Sequence, residues 1–271
     1  MKAKISLCAL FLILAPFLMA HEEFKDLTLD SAEINNLDIN CGAGFCKVYG
    51  QKGLSEIKVE AEIVIKGLSQ EKAQKYINEE VVLSLNKRGS TAYLVSNFRP
   101  HSHFFSFRER AINITVSIPY EMNLEVDDGS GSLLIENIQG RLKLNDGSGE
   151  MQVRKINGDV KITDGSGDMK IFDIQGNLEI DDGSGNIEVT GIQGDLMVKD
   201  GSGNFKAVDI EGLVDIDDGS GNIRIKDALG DVTVNDGSGS IIINGVEKNV
   251  IIKEQGSGNL DISNVRGEVR K

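Results

Sequence analysis

Asp182-Gly-Ser-Gly-Asn-Ile-Glu-Val-Thr-Gly-Ile-Gln-Gly-Asp-Leu-Met-Val-Lys199 is the stretch that decides how this chain folds. Its opening Asp-Gly-Ser-Gly returns at Asp128, Asp146, Asp164, Asp200, Asp218 and Asp236, 18 residues apart each time, and as Gln255-Gly-Ser-Gly after 19. With the Asp counted as place 1, apolar residues recur at places 6, 8, 11, 15 and 17 and glycine usually stands at place 13. In this copy they are Ile187, Val189, Ile192, Leu196, Val198 and Gly194. Places 6/8 and 15/17 alternate apolar with polar, the period of a half-buried strand. Frequent glycines and that alternation exclude a helix. Constant spacing then separates two all-β arrangements. A meander tolerates loops of varied length, whereas a stacked coil sets every place over itself and holds the repeat rigid. The spacing predicts a single-chain parallel β-helix, or solenoid, with one 18-residue coil per ~4.8 Å rung and about eight coils over residues 128–271.

The glycines have assignable tasks in such a coil. Those at places 2 and 4 are expected to reverse the chain with positive φ, and the one at place 13 to supply the opposite corner. The coil from Asp236 departs from the pattern. Glu247, Lys248 and Asn249 occupy the glycine corner and one residue is added, which predicts a bulged corner at that point.

Upstream, residues 21–127 read as a β-rich capping region with one short helix. Leu37 and Ile39 match places 15 and 17, Cys41 the Asp place, and Cys46 and Val48 places 6 and 8, so this segment looks like an outlying first rung. Ile57 to Ile65 and Ile112 to Ile118 alternate as longer strands. Ser69 is placed to cap a helix through Asn78 that turns Ala73, Tyr76 and Ile77 inward and carries a Glu71–Lys75 pair. Val81–Leu85 and Ala92–Val95 flank Lys87-Arg88-Gly89-Ser90 as a hairpin. Such a region would cover one end of the solenoid.

The chain has 271 residues, 31 of them Gly and only 3 Pro, with no Trp and 40% hydrophobic content. This excludes collagen-like and disordered classes. Residues 1–20 read as a secretory signal peptide: basic Lys2 and Lys4, an apolar run from Ile5 to Met19, then the small Ala20. The run is short for a bilayer span. The expectation is an exported protein of the periplasm, cell surface or extracellular medium, with no integral membrane span after cleavage. Removal of Lys2 and Lys4 takes the net charge from −13 to −15. A chain this acidic repels nucleic acid and anionic lipid and attracts divalent cations or basic partners.

Three residue sets carry candidate chemistry. Cys41 and Cys46 remain after signal cleavage; an exported pair separated by Gly-Ala-Gly-Phe reads first as a local disulfide clamping the turn, and second as two buried thiols. The seven aspartates Asp128, Asp146, Asp164, Asp182, Asp200, Asp218 and Asp236 stack in register. They read first as turn residues accepting amides two positions on, and second as a calcium ladder. The order of residues differs from the Gly-Gly-x-Gly-x-Asp pattern of calcium-binding β-rolls, because here the Asp precedes the glycines. No cofactor other than calcium is suggested. The register serines at place 3 cannot each be a nucleophile, and no histidine follows His103 to activate one. They read as small corner residues. His101-Ser-His103 with Phe104, Phe105 and Phe107 reads first as an exposed loop with an aromatic contact patch, and second as a metal-binding pair.

Together, Asn40-Cys-Gly42-Ala-Gly44, Ile118-Pro119, Leu124-Glu-Val126 and the repeated Asp-Gly-Ser-Gly with Ile-x-Gly corners resemble a bacterial β-strand-repeat family of unknown function labelled "putative adhesin". The resemblance spans roughly residues 30–271. It implies a right-handed parallel β-helix and carries no catalytic residues. Repetition multiplies every chemical group, and no unique acid, base or nucleophile set is found, so an enzyme is not expected. The expected function is an interaction or adhesion module for a protein or glycan partner. The alternative is a structural or envelope-stress scaffold that self-associates through its C-terminal end.

Overall fold

The structure is a computed structural model and describes residues 20–99 and 109–271. All of the leader but Ala20, and the stretch from His101 to Phe107, lie outside the described residues. The chain opens with β1 (His21–Asp30), β2 (Asn36–Ala43), β3 (Cys46–Gln51) and β4 (Glu56–Ile65), then α1 (Gln70–Glu80). β5 (Val81–Arg88), β6 (Thr91–Phe98), β7 (Arg110–Pro119) and β8 (Asn123–Ser130) follow. The repeat then adds two strands per coil: β9 (Leu133–Ile138), β10 (Leu142–Asp146), β11 (Met151–Ile156), β12 (Val160–Asp164), β13 (Met169–Ile174), β14 (Leu178–Asp182), β15 (Ile187–Ile192) and β16 (Leu196–Asp200). It ends with β17 (Phe205–Ile210), β18 (Val214–Asp218), β19 (Ile223–Ala228), β20 (Val232–Ser238), β21 (Ile241–Val246), β22 (Val250–Ser257), β23 (Leu260–Val265) and β24 (Val269–Arg270).

These strands make two 12-stranded sheets. One runs β1-β4-β7-β3-β9 and on through the odd strands to β23; the other runs from β24 through the even strands to β8, then β2-β6-β5. Within the repeat every neighbour is parallel and displaced by 18 residues, as in Leu178↔Leu196 and Ile187↔Phe205, until the added residue makes the last displacements 19, as in Ile241↔Leu260. The solenoid with about eight 18-residue turns is therefore the observed fold. Places 6, 8, 11, 15 and 17 point between the sheets and form one continuous core from Leu37 to Ile252. Each buried Ile or Val there contributes roughly 1.5–3 kcal/mol of transfer free energy.

Place 11 faces inward although strict alternation from place 8 would turn place 10 inward instead. The reason is a left-handed residue at place 10: Asn137, Lys155, Asp173, Asp209 and Asp227 have φ of 56–62°, with Gly191 and Gly245 at 73° and 78°. The strand pairing skips this place, so one residue is absorbed and the alternation is reset. Asn, Asp and Gly tolerate that conformation best, which explains two glycines that fit no other place of the repeat.

The corner glycines work differently from the sequence expectation. At the Gly-Ser-Gly corner only place 4 is left-handed, with φ of 136–150° from Gly131 to Gly258. Places 2 and 13 have ordinary φ and are glycine because the rung below comes too close: a Cβ on Gly183 would lie 2.5 Å from the Gly165 carbonyl oxygen, and one on Gly230 would lie 2.0 Å from that of Gly212. The extra residue of the coil from Asp236 is also displaced from its expected position. Lys248 and Asn249 keep the corner hydrogen bonds of places 13 and 14. The register shift falls later, between Val234↔Ile252 and Asn235↔Glu254, and leaves Lys253 as the bulged residue of β22.

The first rung is in the stack at the predicted register: Leu37↔Leu124, Ile39↔Val126, Cys41↔Asp128 and Cys46↔Leu133. It is not the outermost layer. β6 and β7 lie over it in parallel, and β4, β1 and β5 are then added antiparallel. α1 buries Ala73 and Ile77 as expected, while Ser69 makes no side-chain cap and the ion pair is Lys75–Glu79, at 3.8 Å, rather than Glu71–Lys75. Gln74 donates to Glu23 of β1, and Arg110 of β7 bonds the Tyr76 hydroxyl and lies 4.7 Å from the Phe98 ring centroid. Among the described residues no helix is long and apolar enough to cross a membrane.

Candidate functional site

The seven place-1 aspartates lie at or within two residues of the ends of the even strands, where the alternation of places 15 and 17 carries one step further and turns them inward. They are 1–6% exposed, as buried as the isoleucines beside them. From Asp146 to Asp236, Oδ1 accepts the amide of the serine two residues on at 2.9–3.3 Å. Oδ2 of all seven is buried and finds no hydrogen-bond partner. Strand pairing sets Asp128 over Asp146 and each aspartate over the next. Adjacent ionised carboxylates ~4.8 Å apart repel by about 1 kcal/mol even in bulk water. Burial, and then the charge of neighbouring rungs, accordingly raise these acids: Asp128, Asp164 and Asp218 to about 6 and Asp182 to about 7. Burial also raises Asp146, Asp200 and Asp236.

Cys41 and Ser96 continue the column above Asp128, and Gln255 continues it below Asp236. Cys41 and Cys46 are both buried free thiols in the structure. Their mutual hydrogen bond, then burial and the nearby Asp128, push the Cys41 thiol far up. Among the described residues no group of three or more His, Cys, Asp or Glu side chains gathers around a metal-sized position.

Two further columns escaped the sequence reading. At place 5, Asn186, Asn204 and Asn222 each donate a side-chain amide to the residue one rung back at 2.9 Å. At place 14, the backbone amides of Asn177, Asp195 and Leu213 bond side-chain oxygens of the preceding rung, also at 2.9 Å. Recurrent Asn and Asp at these places were the available signal. These ladders hold rung to rung outside the core.

The outer surface carries grooves where the coil bends. One of about 680 Å³ follows the place-10 bulge from Tyr120 to Leu229 across successive rungs. Its walls carry Asn157, Gln175, Gln193 and Glu211 at place 12 and Lys155, Asp173, Asp209 and Asp227 at place 10. A second, of about 690 Å³, crosses the even-strand face between Tyr93 and Met197. That face is laced by exposed pairs one rung apart, Lys143–Glu125 at 2.6 Å and Lys161–Glu179 at 2.7 Å. Solvent screens such exposed pairs, so they shape the surface more than they stabilise it. Glu136 is the exception. Burial would raise it, but Lys155 and Arg154 hold its carboxyl below the usual range.

The inward repeat, the corners and the early rung inserted ahead of it match the Toastrack DUF4097 family model over residues 34–228. The chain belongs to the Toastrack DUF4097 family. A comparison with curated proteins finds no match. Solved structures similar to this Toastrack chain include a "putative cell adhesion protein" from Clostridium sporogenes, at 10% identity and TM-score 0.32, covering 93% of this chain and 100% of that one. Another is a "putative adhesin" from Bacteroides fragilis, at 16% identity and TM-score 0.30, covering 92% and 96%. A third is a "putative lipid binding protein" from Parabacteroides distasonis, at 15% identity and TM-score 0.35, covering 92% and 97%.

Proposed function

We propose that this Toastrack chain is an exported, non-enzymatic binding module whose place-10 groove takes a glycan. The observation that carries the reading is the lining of that groove. Carboxamides and carboxylates from successive rungs stand side by side at ~4.8 Å intervals, with Tyr120 at one end. Such groups accept and donate to sugar hydroxyls, and an aromatic ring stacks on a sugar face. The acidic walls favour neutral or amino sugars over anionic ones. Every chemistry-bearing side chain of the repeat occurs several times in register, which suits extended recognition better than a single reacting centre. The apolar leader and the adhesion-related descriptions of similar structures support export and binding.

A glycan array probed with the chain lacking residues 1–20 tests this. Binding of neutral or amino glycans that falls at least tenfold in Gln175→Ala/Gln193→Ala is expected. Binding unchanged by that pair would remove the groove from the reading, and no binding to any glycan would remove the glycan. Labelling of intact cells separates the surface from the periplasm.

A scaffold that self-associates is the second reading, favoured by the last rung. β23 and β24 each have one unpaired edge, Leu260, Ile262 and Val265 are only partly buried, and Val269 is exposed. A sedimentation mass that rises with concentration and is lost in Ile262→Lys would support it.

We further propose that Cys41 and Cys46 join as a disulfide on export, their two protons and two electrons passing to a thiol–disulfide oxidant of the exported compartment. Closing so short a loop contributes about 2 kcal/mol. The intact mass of exported protein is expected to be about 2 Da below that of the reduced chain, and reductant is expected to lower its melting temperature. An unchanged mass would show the thiols stay free.

A further inference from the structure

We infer that the buried column from Asp128 to Asp236 is a proton-binding site in which successive carboxyls share protons along the rod axis. Folding then takes up protons, and the solenoid is held most firmly in mildly acidic surroundings. The inference concerns the interior and is independent of what the outer groove binds.

The geometry leaves little else to satisfy the column. Each Oδ2 is buried and unpartnered, and a buried carboxylate oxygen without a donor is costly. The groups facing the column offer no cation. Above it stand Cys41 of β2 and Ser96 of β6, and below it Gln255 of β22, all uncharged. Across the core, the odd strands present only apolar side chains, from Leu133 and Met151 through Phe205 to Ile241. On the same even strands the adjoining outward places hold Asp127, Asp181 and Asp217, and the cation among them, Lys199, is exposed on the opposite face of the sheet. A protonated carboxyl supplies the missing donor, since its O–H can reach an oxygen of the next rung while Oδ1 keeps its serine amide. A metal ion in the column would meet at most the carboxyls of adjoining rungs within an apolar wall, short of the six to eight oxygens calcium takes.

The sign of the pH dependence follows from the raised acids. Their folded values, about 6 to about 7, exceed the unfolded ~3.9. Their contribution is full below ~3.9 and is lost as pH rises through 6–7. The opposing groups are held below the usual range: Glu23 and Glu136, against the pull of burial, by Gln74 with Lys25 and by Lys155 with Arg154, and Asp168 and Asp231 by Asn186 and Asn249. They lose their contribution only in stronger acid. Maximum stability is therefore expected near pH ~4, with a fall from there through 6–7.

Carbon-13 carboxyl titration of the folded chain lacking residues 1–20, labelled at aspartate, reads the column directly. Expected is a set of carboxyls with midpoints near 6–7, reduced in Asp164→Asn/Asp182→Asn/Asp200→Asn. Midpoints all close to ~3.9 would overturn the proposal. In parallel, the melting temperature is expected to fall from pH 5 to pH 8.5, with that fall at least halved in the triple variant; equal falls would assign the effect to surface charge and overturn it. At pH 8, calcium is expected to act no differently from sodium chloride of equal ionic strength. A specific calcium stabilisation would give the column to a cation and overturn the proton assignment.

Discussion

Gly221→Ala is expected to destabilise the rod by about 4 kcal/mol or more, in the exceptional range for a single methyl. Gly221 sits at place 4 with φ +150°, and a Cβ there would lie 1.4 Å from the carbonyl oxygen of Gly203 in the rung below. Both partners are backbone of paired rungs, so relief requires the rungs to separate. In a quasi-one-dimensional array that separation cuts the stack, and the coils beyond it lose a neighbour. Gly53→Ala is the control: φ is +77°, but nothing lies within 4 Å of its Cβ, so only the left-handed penalty of about 1–2 kcal/mol applies. Urea unfolding followed by circular dichroism compares the two. Similar midpoints would mean that φ, and not rung contact, selects the glycine.

Phe205→Ala is expected to cost about 3–5 kcal/mol. Phe205 is the largest fully buried side chain of the core and stands at place 6, with Ile187 and Ile223 as its rung neighbours. The same rung carries Ala207 at place 8, where the adjoining rungs have Val189 and Ile225. A large and a small residue thus replace two of middle size, which conserves volume within the layer. Truncating Phe205 leaves two alanines in one layer and a cavity the stacked rungs cannot collapse into, because their spacing is set by backbone hydrogen bonds. Phe205→Ile/Ala207→Val recreates the Ile187/Val189 layer and is expected to stay within about 1.5 kcal/mol of the parent. Ala207→Val alone overpacks by about 1–3 kcal/mol. A double-mutant cycle from denaturant midpoints gives the coupling; additive effects would show that the two places do not share their space.

Much of this was legible from the chain. The 18-residue spacing, the inward places and the early rung at Leu37, Ile39 and Cys41 all stand at the predicted register, because each is a matter of repeated residue type. Place 10 was missed because Asn, Lys, Asp and Gly share no chemistry there, only a backbone conformation. The added residue was sought at Glu247–Asn249, where the composition breaks, yet the stack absorbs it at Lys253. Backbone hydrogen bonds hold the corner in register despite Lys248, and strand β22 bends more cheaply near its open end. β1 carried too little apolar alternation to be read, since only its pairing with β4 gives it a partner.

The aspartates show the same division. Their register is plain in the sequence, and so is their capacity for a turn bond to the serine amide, since both depend on residues two or eighteen apart along one chain. Which way the side chain faces, and that its second oxygen meets no donor, depend on the rungs above and below and on the apolar sheet across the core. The sequence by itself determined a coil, its period and its inward apolar set. The tertiary structure alone decided that the first rung lies beneath β6 and β7 and that seven acids are walled inside, because alternation is a property of chain neighbours whereas enclosure is a property of contacts made between distant ones.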